Sequence, residues 1–95
     1  MPRQRQSRPR SPEHAALGAA IVELRRRAKL TQEALAERTE LHLTHVGGME
    51  RGVRNPSYST LLKLAAGLGV SVGALTTLAE ELRSDGRFSP SGIGS

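Results

Sequence analysis

Along residues 13–29, Leu17, Ile21, Leu24 and Ala28 recur at spacings of four, three and four, a rhythm that lines one face of a helix. The pattern restarts behind Thr31, a residue type whose hydroxyl can accept from a free N–H of the first helical turn. There "QEALAERT" turns Leu35 and Ala36 inward. A third short helix is predicted over about residues 43–51. A fourth follows "NPS", with Ser57 or Ser59 as its cap, and runs to residue 68 through Leu61, Leu64 and Ala65. Gly69 stands where a left-handed closing residue belongs. The fifth starts after Ser71 and carries Val72, Leu75, Leu78 and Leu82 at spacings of three, three and four. Strand signals are few, so the pattern predicts an all-α, compact five-helix domain.

Between the second and third helices only "ELH", residues 40–42, remains for a turn. A link that short forces a steep crossing rather than an antiparallel hairpin, which is helix-turn-helix geometry, here at about residues 32–51. Leu35, Ala36, Leu41, Val46 and Met49 would meet inside the elbow, with Ala36 small where two backbones approach. The third helix also sets Gly47 beside Gly48, and each interior glycine costs roughly 1 kcal/mol of helix relative to alanine. At about 100° per residue, with Val46 and Met49 inward, Arg51, Thr44 and Gly48 fall on the opposite side and Gly47 lies nearby. Both glycines are therefore expected on the outer half of the helix, outside the core.

Composition narrows the class. The 95 residues allow one domain, with a core near the lower limit for standing alone. Tyr58 and Phe88 are the sole aromatic residues, so the core is built from Leu, Ala, Val and Ile, and a partner subunit would add to it. The chain has no cysteine, which removes disulfide staples and thiolate zinc sites and fits a reducing cytosol. A net charge of +5 points to a polyanionic partner, but its distribution is uneven. Residues 1–12 carry Arg3, Arg5, Arg8 and Arg10 without an acid, whereas residues 13–83 set nine Lys or Arg against eight Glu. Residues 1–12 and 84–95 are rich in Pro, Gly and Ser and lack apolar periodicity, so they are expected to be disordered tails around a domain at 13–83. The opening lacks an apolar h-region and "AALGAAIV" runs straight into "ELRRR", so neither a signal peptide nor a membrane span is expected. Pro2, Pro9 and Pro12 likewise break the amphipathic helix of an organelle transit peptide. The expected place is the cytoplasm, at the nucleoid.

The stretch "LTQEALAERTELHLTHVGGMERGVRNPSYSTLLKLAAGLGV" resembles the lambda-repressor-like helix-turn-helix family of phage repressors and xenobiotic-response-element regulators. The likeness covers about residues 24–75. Its cues are Gln after a Thr cap, Leu-Ala inside the second helix, Glu-Arg-Gly closing the third, then Arg-Asn-Pro-Ser and Leu-Gly-Val. Within the family, "THVGGMERGVRN" is most similar to controller proteins of restriction–modification systems and to similar short regulators. Two positions depart from the pattern. Glu40 occupies the turn position that is usually glycine, where a left-handed conformation costs about 1 kcal/mol or a little more. Leu43 stands where such proteins often place a polar base-reading residue.

The resemblance implies that the outer face of the third helix enters the DNA major groove, which is wide enough to admit an α-helix. Gly47 and Gly48 would then let the backbone lie close to the groove wall; the alternative is an exposed position where glycine is merely tolerated. Thr44 offers a hydroxyl and a methyl to base edges, Leu43 could touch a thymine methyl or pack on its own domain, and His45 flanks the groove face. Gln32 begins the second helix beside free N–H groups that favour a phosphate, and plain helix capping is its other role. Arg51, Arg54 and Asn55 would reach phosphates or the groove edge, or else form a solvated basic loop. The resemblance also suggests that Glu50 pairs with Arg25 and locks the third helix to the first, a structural role. Arg25, Arg26 and Arg27 otherwise read as a solvated face, and the arginine tail as a non-specific attractor or a minor-groove arm.

Other classes fit less well. There is no Gly-rich phosphate loop after a strand, no nucleophile with a base, and too short a chain for an enclosed pocket, so neither an enzyme nor a cofactor is expected. His14 lies far from His42 and His45, and no paired acids stand at ligand spacing, so no metal site is expected. The rival is an antitoxin-like or adaptor module using the same fold; a toxin or polymerase partner is left unidentified. The reading adopted is a sequence-specific double-stranded DNA-binding transcriptional regulator, a repressor or autoregulator. A domain this small reads few base pairs, so a homodimer on a near-palindromic site is expected, with half-sites roughly 34 Å apart. Val72, Leu75, Leu78 and Leu82 would form its contact, or else cap the domain's own core.

Overall fold

The computed structural model describes residues 8–85, and all regular structure among them is helical. Five helices follow in order: α1 (Pro12–Arg27), α2 (Gln32–Thr39), α3 (Leu43–Glu50), α4 (Tyr58–Leu68) and α5 (Val72–Asp85). Local chemistry sets most of the starts. Ser11, Thr31 and Ser57 are extended N-caps whose hydroxyls accept from the N–H of His14, Ala34 and Thr60, and Ser71 accepts from Ala74 N–H in the same way. The cap of α4 is thus Ser57 rather than Ser59. His42 caps α3 by backbone conformation alone, without a side-chain hydrogen bond.

The ends depend on left-handed residues. Glu40 takes φ 61° and closes α2, and Gly69 takes φ 77° and closes α4, as the sequence suggested. Lys29 at φ 60° is a further left-handed residue, which no glycine advertises. It lets Leu30 N–H reach back to the Arg25 carbonyl at 3.0 Å and turns the chain into α2.

α1 packs on both α5 and α3, while α2 packs on α3 and α4. Ile21, Leu35, Val46, Met49, Leu64 and Leu75 are fully buried where these layers meet. Leu75 and Leu82 were expected at a dimer contact; they lie inside the single-chain core, 0 % and 3 % exposed. Their surface is spent on α1 and its neighbours, because α5 must cover the face of α1 that α3 leaves open. Val72 and Leu78 stay half-buried.

The edges of the domain also move. α1 begins at Pro12, and Arg10 N–H donates to the Gly52 carbonyl at 2.9 Å, so the last residues assigned to the N-terminal tail are attached to the fold. At the other end α5 reaches Asp85. The tail positions Arg3 and Arg5 and most of the C-terminal segment lie outside the described residues. Among the described residues no single helix is long and apolar enough to cross a membrane. The pair α4 and α5 reaches that apolarity only in sum, bent by 94°, with Leu64, Leu68, Leu75 and Leu82 in the core.

Candidate nucleic-acid interface

The short helix α3 is held from behind by one carboxylate. Glu50 accepts from Arg25 Nε at 2.6 Å and Arg25 Nη2 at 3.2 Å, and from Gln32 Nε2 at 2.7 Å. Arg25 Nη1 adds a bond to the Leu30 carbonyl at 2.9 Å. Helices α1, α2 and α3 and the α1–α2 turn therefore converge on a single group. The pair is well withdrawn from water, with 14 % of the Arg25 and 5 % of the Glu50 side chain exposed. Two parallel bonds between guanidinium and carboxylate fix direction as well as distance. Gln32 was expected at a phosphate; its amide nitrogen is engaged here.

Backbone contact completes the support. At Gly18 a Cβ would lie 2.6 Å from the Met49 carbonyl oxygen and against the Glu50 carbonyl as well, so only glycine lets α1 press on the end of α3.

In front, the start of α3 is open: Leu43 is 42 % exposed, Thr44 is exposed and His45 is half-buried. Past its end, Gly52 at φ 78° reverses the chain. Val53 N–H and Arg54 N–H both return to the Gly48 carbonyl, at 2.9 Å and 3.3 Å. Arg51, Arg54 and Asn55 are exposed beside this turn. Neither the Arg51 nor the Arg54 guanidinium has an ion-pair or hydrogen-bond partner among the described residues.

One expectation is corrected here. Gly47 and Gly48 point away from the core, yet they are not bare: both are buried. A Cβ on Gly47 would sit 3.1 Å from Arg51 Nη1 and 3.8 Å from Gln32 Nε2. A Cβ on Gly48 would sit 2.5 Å from Arg54 Cγ. The space beside Gly48 is filled by the stem of Arg54, a long side chain that can cover backbone with its methylenes, and the space beside Gly47 by the ends of Arg51 and Gln32. Helical phase alone located the glycines but could not foresee a cover from six residues downstream.

His14 is the residue that the sequence did not single out. Its Nδ1 pairs with Ser11 Oγ at 2.7 Å and its Nε2 with Asn55 Oδ1 at 3.1 Å. With the Ser11 hydroxyl donating to Nδ1, Nε2–H donates to Asn55 and leaves the amide NH₂ of Asn55 free to donate outward. The partners are 41 residues apart, so no local pattern signals the link. Nearby, Glu13 forms an ion pair with Arg83 at 3.0 Å. Its carboxyl is held below the ordinary value of 4.5, first by its own backbone N–H at the start of α1, then by Arg83. Among the described residues no group of three or more His, Asp or Glu could hold a metal ion.

A family model described as helix-turn-helix matches residues 21–75, more than half of the chain and all of α2 and α3. The chain belongs to the helix-turn-helix family. Within that family it is of the lambda-repressor-like, xenobiotic-response-element type. It is 40 % identical over 65 residues to an uncharacterized HTH-type transcriptional regulator, y4dJ, of Sinorhizobium fredii, a match covering 68 % of this chain and 84 % of that one. It superposes on the restriction–modification controller protein C.AhdI from Aeromonas hydrophila with a TM-score of 0.67 and 38 % identity, over 68 % of this chain and 98 % of that one. The controller protein C.Esp1396I, solved as a tetramer in complex with its natural 35 base-pair operator, matches with a TM-score of 0.72 and 27 % identity. That match covers 78 % of this chain and 97 % of that one.

Proposed function

We propose that this helix-turn-helix protein is a sequence-specific transcriptional regulator that binds double-stranded DNA as a homodimer and inserts α3 into the major groove. The observation that carries the reading is the pair of guanidinium groups, Arg51 and Arg54, at the end of α3, neither with a partner among the described residues. Unpaired cations flanking a helix end suit phosphates on either side of a groove. Leu43 and Thr44, exposed at the other end of the same helix, can meet base edges and thymine methyl groups. Asn55, held through its Oδ1, offers its amide hydrogens to a phosphate, and His45 and Gln32 flank the same face. Gly47 and Gly48 contribute by what covers them.

The operator-bound tetramer of C.Esp1396I supports both DNA as ligand and self-association. The apolar side chains left for a second copy include Tyr58 and Leu62 on α4, 67 % and 46 % exposed and one turn apart, with the outer edges of Val72 and Leu78 on α5. Leu75 and Leu82 would support that contact from beneath. Such a protein acts where DNA is, in the cytoplasm at the nucleoid.

Selection of bound duplexes from a random pool at one fixed salt concentration tests this reading. The expected product is a near-palindromic sequence with half-sites about one helical turn apart, roughly 34 Å. A pool that never enriches, with only salt-sensitive binding, would instead mark a protein that uses the fold without reading bases.

A further inference from the structure

Arg54 lies along the outer side of α3 rather than away from it. A Cβ on Gly48 would meet its Cγ at 2.5 Å, its Nε at 3.2 Å and its Cδ at 3.4 Å, three atoms of the stem in succession. We infer that Gly48 is a positioning residue that seats the Arg54 stem against α3 and thereby presets its guanidinium for a DNA phosphate. The inference rests on the DNA-binding reading above and adds to it the reason for a glycine at this place.

Arg54 cannot yield to a larger residue by a small movement. Its Cγ is close to the main chain, and that main chain is tied on three sides. Val53 and Arg54 N–H bond to the Gly48 carbonyl, Gly52 receives the N–H of Arg10, and Asn55 is held by His14. An alanine at 48 therefore turns the whole side chain out into water. Gly47 is different. Its Cβ would meet only the ends of two flexible side chains, Arg51 Nη1 and Gln32 Nε2, which can swing aside at little cost. No ion pair within the domain draws the Arg54 head into this seat, because Arg54 has no acidic partner among the described residues. An arginine fixed in advance loses less side-chain freedom on binding than one that must be ordered from solution.

The test is a double-mutant cycle on the full chain with a random-sequence duplex at low salt, where phosphate contact dominates. Gly48→Ala weakens binding roughly three- to tenfold, the range expected for immobilising one long side chain at the moment of binding. Its thermal midpoint is unchanged or higher, since alanine is the better helix former. In an Arg54→Ala background Gly48→Ala has no further effect. An equal loss with and without Arg54 would assign Gly48 to direct approach by the DNA and overturn the inference, as would no loss at all. A wild-type protein that binds no duplex would instead overturn the DNA reading itself. NMR relaxation of the Arg54 Nε–H in the free wild-type protein supplies a readout that needs no variant to fold. A rigid side chain is expected, and a freely rotating one sinks the seat.

Discussion

Two glycines on opposite sides of α3 separate the rear of the recognition region from its front. Gly18 lies in α1 behind α3 and faces backbone: the carbonyl oxygens of Met49 and Glu50. Gly48 lies in α3 itself and faces the stem of one arginine. Backbone in a packed seam has no alternative position, whereas a side chain on an open flank has solvent to move into. The same residue type therefore sets stability at the rear and ligand geometry at the front.

The strongest way to break this contrast is at the rear. Glu50→Ala removes the acceptor of three hydrogen bonds and strands Arg25 with only the Leu30 carbonyl. Deleting one partner of a withdrawn ion pair costs about 3–5 kcal/mol, so the variant should be largely unfolded or melt far below the wild type in a urea or thermal titration. A midpoint equal to the wild type would show that α3 is held by apolar packing alone. Gly18→Ala comes next, with a loss of about 1–3 kcal/mol or more, because α1 and α3 must move apart. At about 4–8 °C per kcal/mol for a domain of this size, calorimetry separates it from Gly48→Ala, whose midpoint should not fall. Equal midpoints for the two alanine variants would erase the distinction between seam and flank.

The smallest expected effect lies at the edge of the scaffold, where Glu13 of α1 meets Arg83 of α5. The folded-state pKa of Glu13 is lowered, so its contribution is present above the unfolded value of 4.5 and is lost as pH falls through the lower folded value. Arg83→Ala should therefore flatten slightly the decline of the melting temperature in that acid range and leave neutral-pH DNA binding unchanged. Both groups are exposed, which keeps the effect small. A steep acid dependence that survives the substitution would place the titration elsewhere.

How much was legible in the chain follows the range of each interaction. The caps at Thr31 and Ser57, the left-handed turns at Glu40 and Gly69, and the inward rows through Ile21, Leu35 and Leu64 depend on neighbours within a few residues. Local pattern gives them, except the left-handed Glu40, which family resemblance marked, and the choice of Ser57 over Ser59, which the structure made. The Arg25–Glu50 pair spans 25 residues and was reached through family resemblance rather than through periodicity. The His14–Asn55 bond and the Arg10–Gly52 bond had no such guide, because polar residues at a helix start and in a turn carry no sign of what they will meet.

The sequence by itself determined five short helices, the tight elbow between the second and third, and the inward rows of the periodic apolar residues. These are consequences of backbone geometry and of a period of about 3.6 residues. Only the tertiary structure decided which apolar positions were left for a partner. It gave Leu75 and Leu82 to the core and left Tyr58 and Leu62 outside. It also decided what lies over Gly48, since a gap in a helix surface is defined by the chain that returns to fill it. Periodicity assigns a residue to a face, and packing assigns that face its neighbour.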